Sequence, residues 1–455
     1  MNNTDSQLGT EPILPLLFRL ALPAMFSMFI NALYNLVDAI FVGQAAGPNA
    51  IAALAIAFPV QQIILALALM IGQGTASIVS RALGAGDRRR AAEAAGTAFM
   101  AALLSTGVLS LISIRYLEHV LILFGATSEI ISYGRDYLGI IMLSAPLLAV
   151  TIVANNILRA EGKPTIAMNI LLIGALLNIA LDPILIFVLD MGIRGAAVAT
   201  AVSQGVAFLY VFSFFVQGRS GLALQWKDLL LQNVFVRESA LLGLPIFIRQ
   251  GANSVIATLI NNLLAVYGTA ISIAVYGTIN RLLIFMLMPM FGMLQAFQPV
   301  AGYNFGAGQM KRVEDTVKIT LLSLVIYGTG AAALMMVFPG ALFRLFTNDM
   351  KMIQEGVPAL RLIVSMVPFI GVQIIGATFF QSIGHARPAV VLGLLRQVFL
   401  LIPLVIVLPR LLGVMGIWVA FPISDLTATV VTALVLYRSL QNIIGPRQIT
   451  VPMAE

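Results

Sequence analysis

Long apolar runs recur along the whole chain and decide what it can fold into. Twelve of them, read between glycine, proline and charged residues, are long enough to cross a bilayer. A helix of about 20 apolar residues spans a hydrocarbon core of about 30 Å, whereas the strands of a membrane barrel alternate over about ten residues. The runs therefore predict an all-α membrane protein with twelve transmembrane helices.

The predicted helices are separated by short polar segments. Pro23 and Pro245 are expected to kink the first and the seventh helix. The approximate bounds of the twelve helices are 15–43, 51–80, 92–114, 132–158, 165–189, 193–217, 236–267, 270–302, 315–337, 355–382, 388–408 and 412–438.

The composition is that of a membrane protein. Hydrophobic residues make up 60% of the chain and charged residues 10%, against about 25% charged residues in soluble domains. The net charge of +7 is explained by lysine and arginine in cytoplasmic loops, so no nucleic-acid partner is expected. The chain has no cysteine, which excludes disulfides and thiolate metal sites, and we expect no cofactor.

The distribution of basic residues predicts the orientation. With the N-terminus inside, sixteen lysine and arginine residues fall on the inner side and six on the outer side. Because cytoplasmic loops carry the excess of basic residues, both termini are predicted to be cytoplasmic, in the inner membrane of a bacterium.

The two halves of the chain align at an offset near 222 residues. LALP at 20–23 matches LGLP at 242–245, and RALGAGD at 81–87 matches YNFGAGQ at 303–309. We expect two six-helix bundles related by pseudo-two-fold symmetry. These are an N-lobe at 1–217 and a C-lobe at 236–455, joined by a cytoplasmic linker at 218–235. Transporters with such repeats bind substrate between the halves, and a duplicated channel or scaffold is the alternative.

Several stretches in order along the chain resemble one family. They are LALPAMFSMFINALYNLVDAIFVGQ, GQGTASIVSRALGAGD, ILRAEGKPTIAMN, LLNIALDPILIF, GIRGAAVATAVSQ and MFGMLQAFQPVAGYNFGAG. The chain resembles multidrug and toxic compound extrusion (MATE) transporters. The resemblance implies two bundles around a V-shaped cavity, and export of organic compounds, often cationic drugs, in exchange for protons or sodium ions.

Two carboxylates fall inside predicted helices, where ionisable groups are costly and usually functional. Asp38 and Asp182 lie about five and seven residues from the outer ends of helices 1 and 5, so they have a similar depth. Asn178 shares a helical face with Asp182, and Thr200 reaches the same level. These oxygens could bind sodium, or burial and like charge could make a carboxylate a proton carrier.

The resemblance maps the family's N-lobe coupling network onto Asp38, Asn178, Asp182 and Thr200, with Tyr137 and Asn155 as further candidates. Other readings stay open: Asp38 at the outer headgroups, Asp182 as a helix-end residue, and Tyr137 as an interfacial anchor. Some family members carry acidic residues in helices 7 and 10. Here Glu238 and Glu355 lie only at the edges of those helices, which disfavours coupling in the C-lobe.

Further polar residues are predicted to line the substrate cavity. An arginine in the middle of a span faces a cavity or a partner. Arg249 and Arg281 therefore either line the C-lobe cavity, or cap unwound backbone or pair with Asp425. The predicted cavity residues are Tyr34, Asn35, Arg249, Gln250, Asn253, Asn280 and Arg281.

These features together predict a secondary antiporter that exports small organic compounds by alternating access. Its partners are expected to be the substrate and membrane lipids, and we expect it to act as a monomer. The alternative is a flippase or exporter of a lipid-linked or dedicated metabolite. A membrane enzyme would need a catalytic constellation, which we do not find in the sequence, so no enzymatic activity is expected.

Overall fold

The computed structural model describes residues 3–444, and all regular structure in that range is helical. The helices of the first half are α1 (Asn3–Thr10), α2 (Ile13–Gly84), α3 (Arg88–Arg115), α4 (Leu117–Leu123), α5 (Ile131–Ala160), α6 (Pro164–Pro183) and α7 (Gly192–Val216). A π-helical segment, Ile184–Val188, continues α6, and a 3₁₀ turn, Trp226–Leu229, follows α7.

All regular structure in the described part of the second half is also helical. Its helices are α8 (Asn233–Tyr267), α9 (Ala270–Gly306), α10 (Met310–Val337), α11 (Pro339–Arg344), α12 (Met350–Val364), α13 (Val367–Ser382), α14 (Ala386–Leu394), α15 (Ile402–Val407), α16 (Pro409–Leu412) and α17 (Val414–Ile444). A second π-helical segment, Leu395–Leu401, joins α14 to α15.

Twelve membrane spans are present in residues 3–444. Eleven helical segments are long and apolar enough to cross a bilayer, and the bent pair of α12 and α13 makes the twelfth. The prediction of twelve transmembrane helices is therefore confirmed. The span expected at 355–382 is bent, because α12 and α13 meet at an angle of 45°. Pro368 lies in the first turn of α13, where its missing N–H does no harm.

The first two spans form one long helix with a break. Gly47 in α2 has φ 72° and ψ −168°, which is not helical, and glycine adopts positive φ without the Cβ penalty. Pro48 follows and lacks the N–H that a continuous helix needs. The polar segment expected between 43 and 51 is thus a sharp break at one residue, with the two arms of α2 on either side of it.

Reciprocal contacts between the halves show their pseudo-two-fold relation. A Cβ on Gly84 would overlap the carbonyl oxygen of Tyr303, and a Cβ on Gly306 would overlap that of Arg81. Gly84 and Gly306, like Arg81 and Tyr303, are 222 residues apart, which is the offset of the sequence repeat. Each half therefore presents the same surface to the other, as a two-fold interface requires.

One side of the bundle carries both ends of the described chain, and we call it the terminal side. On this side, a helix end of each half packs against the other half. Leu16 and Leu17 of α2, at 1% and 0% exposure, belong to a buried cluster with Phe297 of α9. In return, Leu242 of α8 belongs to the buried cluster of α2, α3 and α5. Glu238 of α8 adds an ion pair of 2.8 Å to Arg81. The two halves are therefore closed against each other on the terminal side.

The segment between α7 and α8 is docked on the first half. The buried Glu161 carboxylate accepts hydrogen bonds from Ser220 Oγ at 2.7 Å and from the Gly221 N–H at 2.8 Å. Asp228, also buried, accepts from the Gln225 N–H at 2.8 Å and pairs with Arg89 at 2.6 Å. The linker expected at 218–235 is thus held by two buried carboxylates, because their charge needs partners once water is removed.

We expect Asp228→Ala to destabilise the protein by about 1–3 kcal/mol, since it removes a buried hydrogen-bonded charge. Thermal unfolding in detergent should show a lower Tm. Asp136→Ala is the matched control, because Asp136 is exposed and has no hydrogen bond or ion pair with the described residues. Equal Tm values for the two variants would contradict a docking role for Asp228.

Candidate functional site

The end of α6 holds a buried polar pair. Asn178 and Asp182 lie one turn apart and are 2% and 0% exposed. Asn178 Nδ2 donates to Asp182 Oδ1 at 3.2 Å and to Thr200 Oγ1 of α7 at 3.3 Å. Regular α-helix ends at Pro183 and the π-helical segment follows directly, a local change that is frequent at functional sites. The predicted cluster of Asn178, Asp182 and Thr200 is present in the structure.

Asp38 of α2 and Tyr137 of α5 complete this cluster from the facing helices. The charges of Asp38 and Asp182 act on each other and on Tyr137. Tyr137 is 5% exposed, and its hydroxyl contacts the Gln61 side chain. Tyr137 is therefore buried in the bundle and is not an interfacial anchor. Asp182, at 0% exposure, also lies inside the bundle.

Three oxygens in this cluster have no hydrogen-bond donor among the described residues. They are Asp38 Oδ1, Asp182 Oδ2 and Asn178 Oδ1, and all three are buried. A buried acceptor without a partner costs free energy. A proton on a carboxylate or a cation bound to the oxygens would relieve that cost, and oxygen ligands suit a hard cation such as sodium.

A cavity of about 90 Å³ adjoins the cluster in the first half. Tyr34 lines it, as predicted, together with Asn178 and Thr200. The side chain of the predicted Asn35 lies outside the described residues. Sequence reasoning missed Asn31, Ser203 and Gln204, which also line the cavity. Spacing would have found two of them, because Asn31 precedes Tyr34 and Ser203 follows Thr200 by three residues on one helical face.

Asn155 does not belong to the cluster, which corrects the prediction. Its Nδ2 donates to the carbonyl oxygen of Ala167, near the start of α6, at 2.6 Å. Asp182 lies fifteen residues further along α6, or about 22 Å at 1.5 Å per residue. Asn155 therefore joins α5 to α6 far from the carboxylates.

The predicted polar residues of the second half have different surroundings. The Arg249 guanidinium lies over the Phe291 ring, 6.0 Å from its centre. Gln250 is half-buried, and the exposed Asn253 accepts a hydrogen bond from Gln397 at 2.9 Å. Asn280 and Arg281 of α9 are both exposed.

The partner of Asp425 is Arg396. The two side chains form a salt bridge, with Arg396 Nη2 at 3.4 Å from Asp425 Oδ2. The idea that Arg249 or Arg281 pairs with Asp425 was therefore wrong. Sequence reasoning missed Arg396, which lies in the second π-helical segment, because a pair between distant helices leaves no local spacing signal.

Comparisons with known proteins agree with this architecture. A model of the MatE family matches residues 23–184 and again 245–407, and the starts of the two matches are 222 residues apart. The multidrug export protein MepA of Staphylococcus haemolyticus is 26% identical over 93% of this chain and 92% of its own length.

Solved structures resemble the chain over nearly its whole length. A crystal structure of a MATE protein in the bent conformation has a TM-score of 0.91 at 25% identity and covers 97% of this chain and 98% of that one. An outward-facing multidrug resistance MATE transporter has a TM-score of 0.86 at 26% identity, with 94% and 96% covered. The family model matches twice, the fold is shared, and the similarity to relatives extends over nearly the whole chain. The chain therefore belongs to the MatE family of membrane transporters, the family that its sequence motifs resemble.

Proposed function

We propose that this transporter is a multidrug exporter of the bacterial inner membrane that exchanges organic compounds for protons or sodium ions. Its relative MepA is a multidrug export protein. The sequence count of sixteen basic residues in predicted inner segments against six in predicted outer segments supports cytoplasmic termini. The protein needs no cofactor in this proposal and acts as a monomer.

The proposal rests on the buried side-chain oxygens near Asp182 that have no hydrogen-bond donor among the described residues and lie beside a cavity. Asp38 and Asp182 bring two negative charges together, and one oxygen of each has no partner among the described residues. Uptake of a proton or sodium ion changes the charge of this cluster. A ligand that changes local charge and packing shifts the balance between two arrangements of the helices.

Alternating access then requires that the terminal side opens and closes. We propose that residues 1–217 and 236–455 move as two lobes, with 218–235 carried by the N-lobe, where Glu161 and Asp228 hold it. In this structure the terminal side is closed, because the start of α2 packs against the second half and the start of α8 packs against the first half. With cytoplasmic termini, this is the state that faces outward and takes up the coupling ion.

Transport in proteoliposomes tests the exchange. The purified protein, with a cationic fluorescent dye as substrate, should move the dye when a pH gradient or a sodium gradient is imposed separately, and one of the two should suffice. Because coupled exchange moves ions the opposite way, dye should also drive proton or sodium flux. Dye movement that is equal with and without both gradients would contradict antiport.

A further inference from the structure

Arg249 lies in the middle of α8, where a charged side chain is costly. It is sixteen residues from the start of this 35-residue helix. Its guanidinium packs over the Phe291 ring, and it forms no hydrogen bond or ion pair with the described residues. Phe291 precedes Gly292, where a Cβ would meet the Met25 side chain of α2. Arg249 is thus near the place where the two halves meet.

Every described carboxylate of the second half is engaged elsewhere. Asp425 pairs with Arg396, and Glu238 pairs with Arg81 and Arg90 on the terminal side. The remaining carboxylates hold other partners: Glu314 and Asp315 bind Lys311, Asp349 binds the Lys351 N–H, and Glu355 accepts from Ser272. The charge of Arg249 therefore has no counter-ion among the described residues of its own half.

The geometry points to a ligand as that counter-ion. We propose that Arg249 binds the anionic group of a transported aromatic compound, such as an organic acid or a zwitterion. This inference rests on the proposed export function and names a substrate class for it. Asp38 and Asp182 lie in the first half and Arg249 in the second, so a zwitterion fits the charges of both.

The chemistry of arginine suits this task. Its planar fork of N–H donors matches a carboxylate with two parallel hydrogen bonds, and its face stacks on aromatic rings. Phe291 already occupies one face of the guanidinium, which holds the fork in one orientation. Lysine would keep the charge but lose both the fork and the stacking.

Binding to purified protein in phosphatidylcholine nanodiscs tests the inference without any transport step. The probes are dansylglycine, which carries a carboxylate, and dansylcadaverine, which carries an amine on the same ring system. Arg249→Gln should weaken dansylglycine binding about tenfold or more, the loss expected for a charge-assisted hydrogen bond, and leave dansylcadaverine binding unchanged. Arg249→Lys should lie between the wild type and the glutamine variant.

Arg344→Gln is the matched control, because it removes an exposed arginine of the same half, in α11, and should leave both affinities unchanged. Equal dansylglycine affinity in the wild type and Arg249→Gln, or an equal loss in Arg344→Gln, would overturn the assignment. The assignment would also be overturned if phosphatidylglycerol displaced dansylglycine by binding to Arg249, since the anion would then be a lipid. If dansylglycine binds through Arg249 but the protein shows no gradient-driven transport, the result would count against the proposed function and not against this inference.

Discussion

Asp38→Asn is expected to reduce gradient-driven export to the background level of empty liposomes while the protein still folds and inserts. Asparagine has the shape of aspartate, but it neither releases a proton at physiological pH nor supplies a negative charge to sodium. Asp38 Oδ1 has no donor among the described residues, so the substitution breaks no hydrogen bond of that atom. Efflux of a cationic dye from proteoliposomes with an imposed gradient measures the loss.

Asp190→Asn is the control for removing a carboxylate. Asp190 is exposed, with φ 51°, a conformation that asparagine adopts readily. This variant should export at the wild-type rate. Binding of the dye by Asp38→Asn, measured without a gradient, shows that the substituted protein is folded. Full export by Asp38→Asn would remove Asp38 from the coupling mechanism.

The spans and the carboxylate cluster could be predicted because their signals are local. Each helix carries its own apolar run, and the repeat is visible as matched motifs at one offset. Asn178 and Asp182 could be placed on one face by their spacing, and Asp38 could be placed at their depth by counting from helix ends. Counting along α5 likewise places Asn155 five residues from the end of its helix, away from the carboxylates.

The features that could not be predicted depend on contacts between distant segments. Arg396 and Asp425 lie on different helices, and nothing in their spacing connects them. The docking of the linker depends on Glu161, which is far from Ser220 in sequence. The closed terminal side depends on which glycines meet a carbonyl oxygen of the other half, and the sequence shows the glycines without their neighbours.

Gly243→Ala is expected to prevent closure of the terminal side. A Cβ on Gly243 of α8 would overlap the Met70 carbonyl oxygen of α2, and Gly74 of α2 meets the Ser239 carbonyl oxygen in the same way. Alanine favours helix over glycine by about 1 kcal/mol, so helix propensity alone predicts a more stable protein. Because two backbones cannot both move aside in a close-packed interface, the overlap should dominate, and export should fall at least about tenfold, since 1.4 kcal/mol is a factor of ten.

A cysteine reporter measures the closure directly, because the chain has no cysteine of its own. Ser77 of α2 is 0% exposed, and its hydroxyl contacts the Gln381 carbonyl oxygen of α13, so Ser77→Cys reports opening between the halves. In inside-out vesicles, a membrane-impermeant maleimide should label this cysteine slowly alone and much faster when Gly243→Ala is added. Gly107→Ala makes the same chemical change in α3, where a Cβ meets nothing within 4 Å, and should leave labelling and export unchanged. If Gly243→Ala behaves like Gly107→Ala, close glycine contact does not control access from the terminal side.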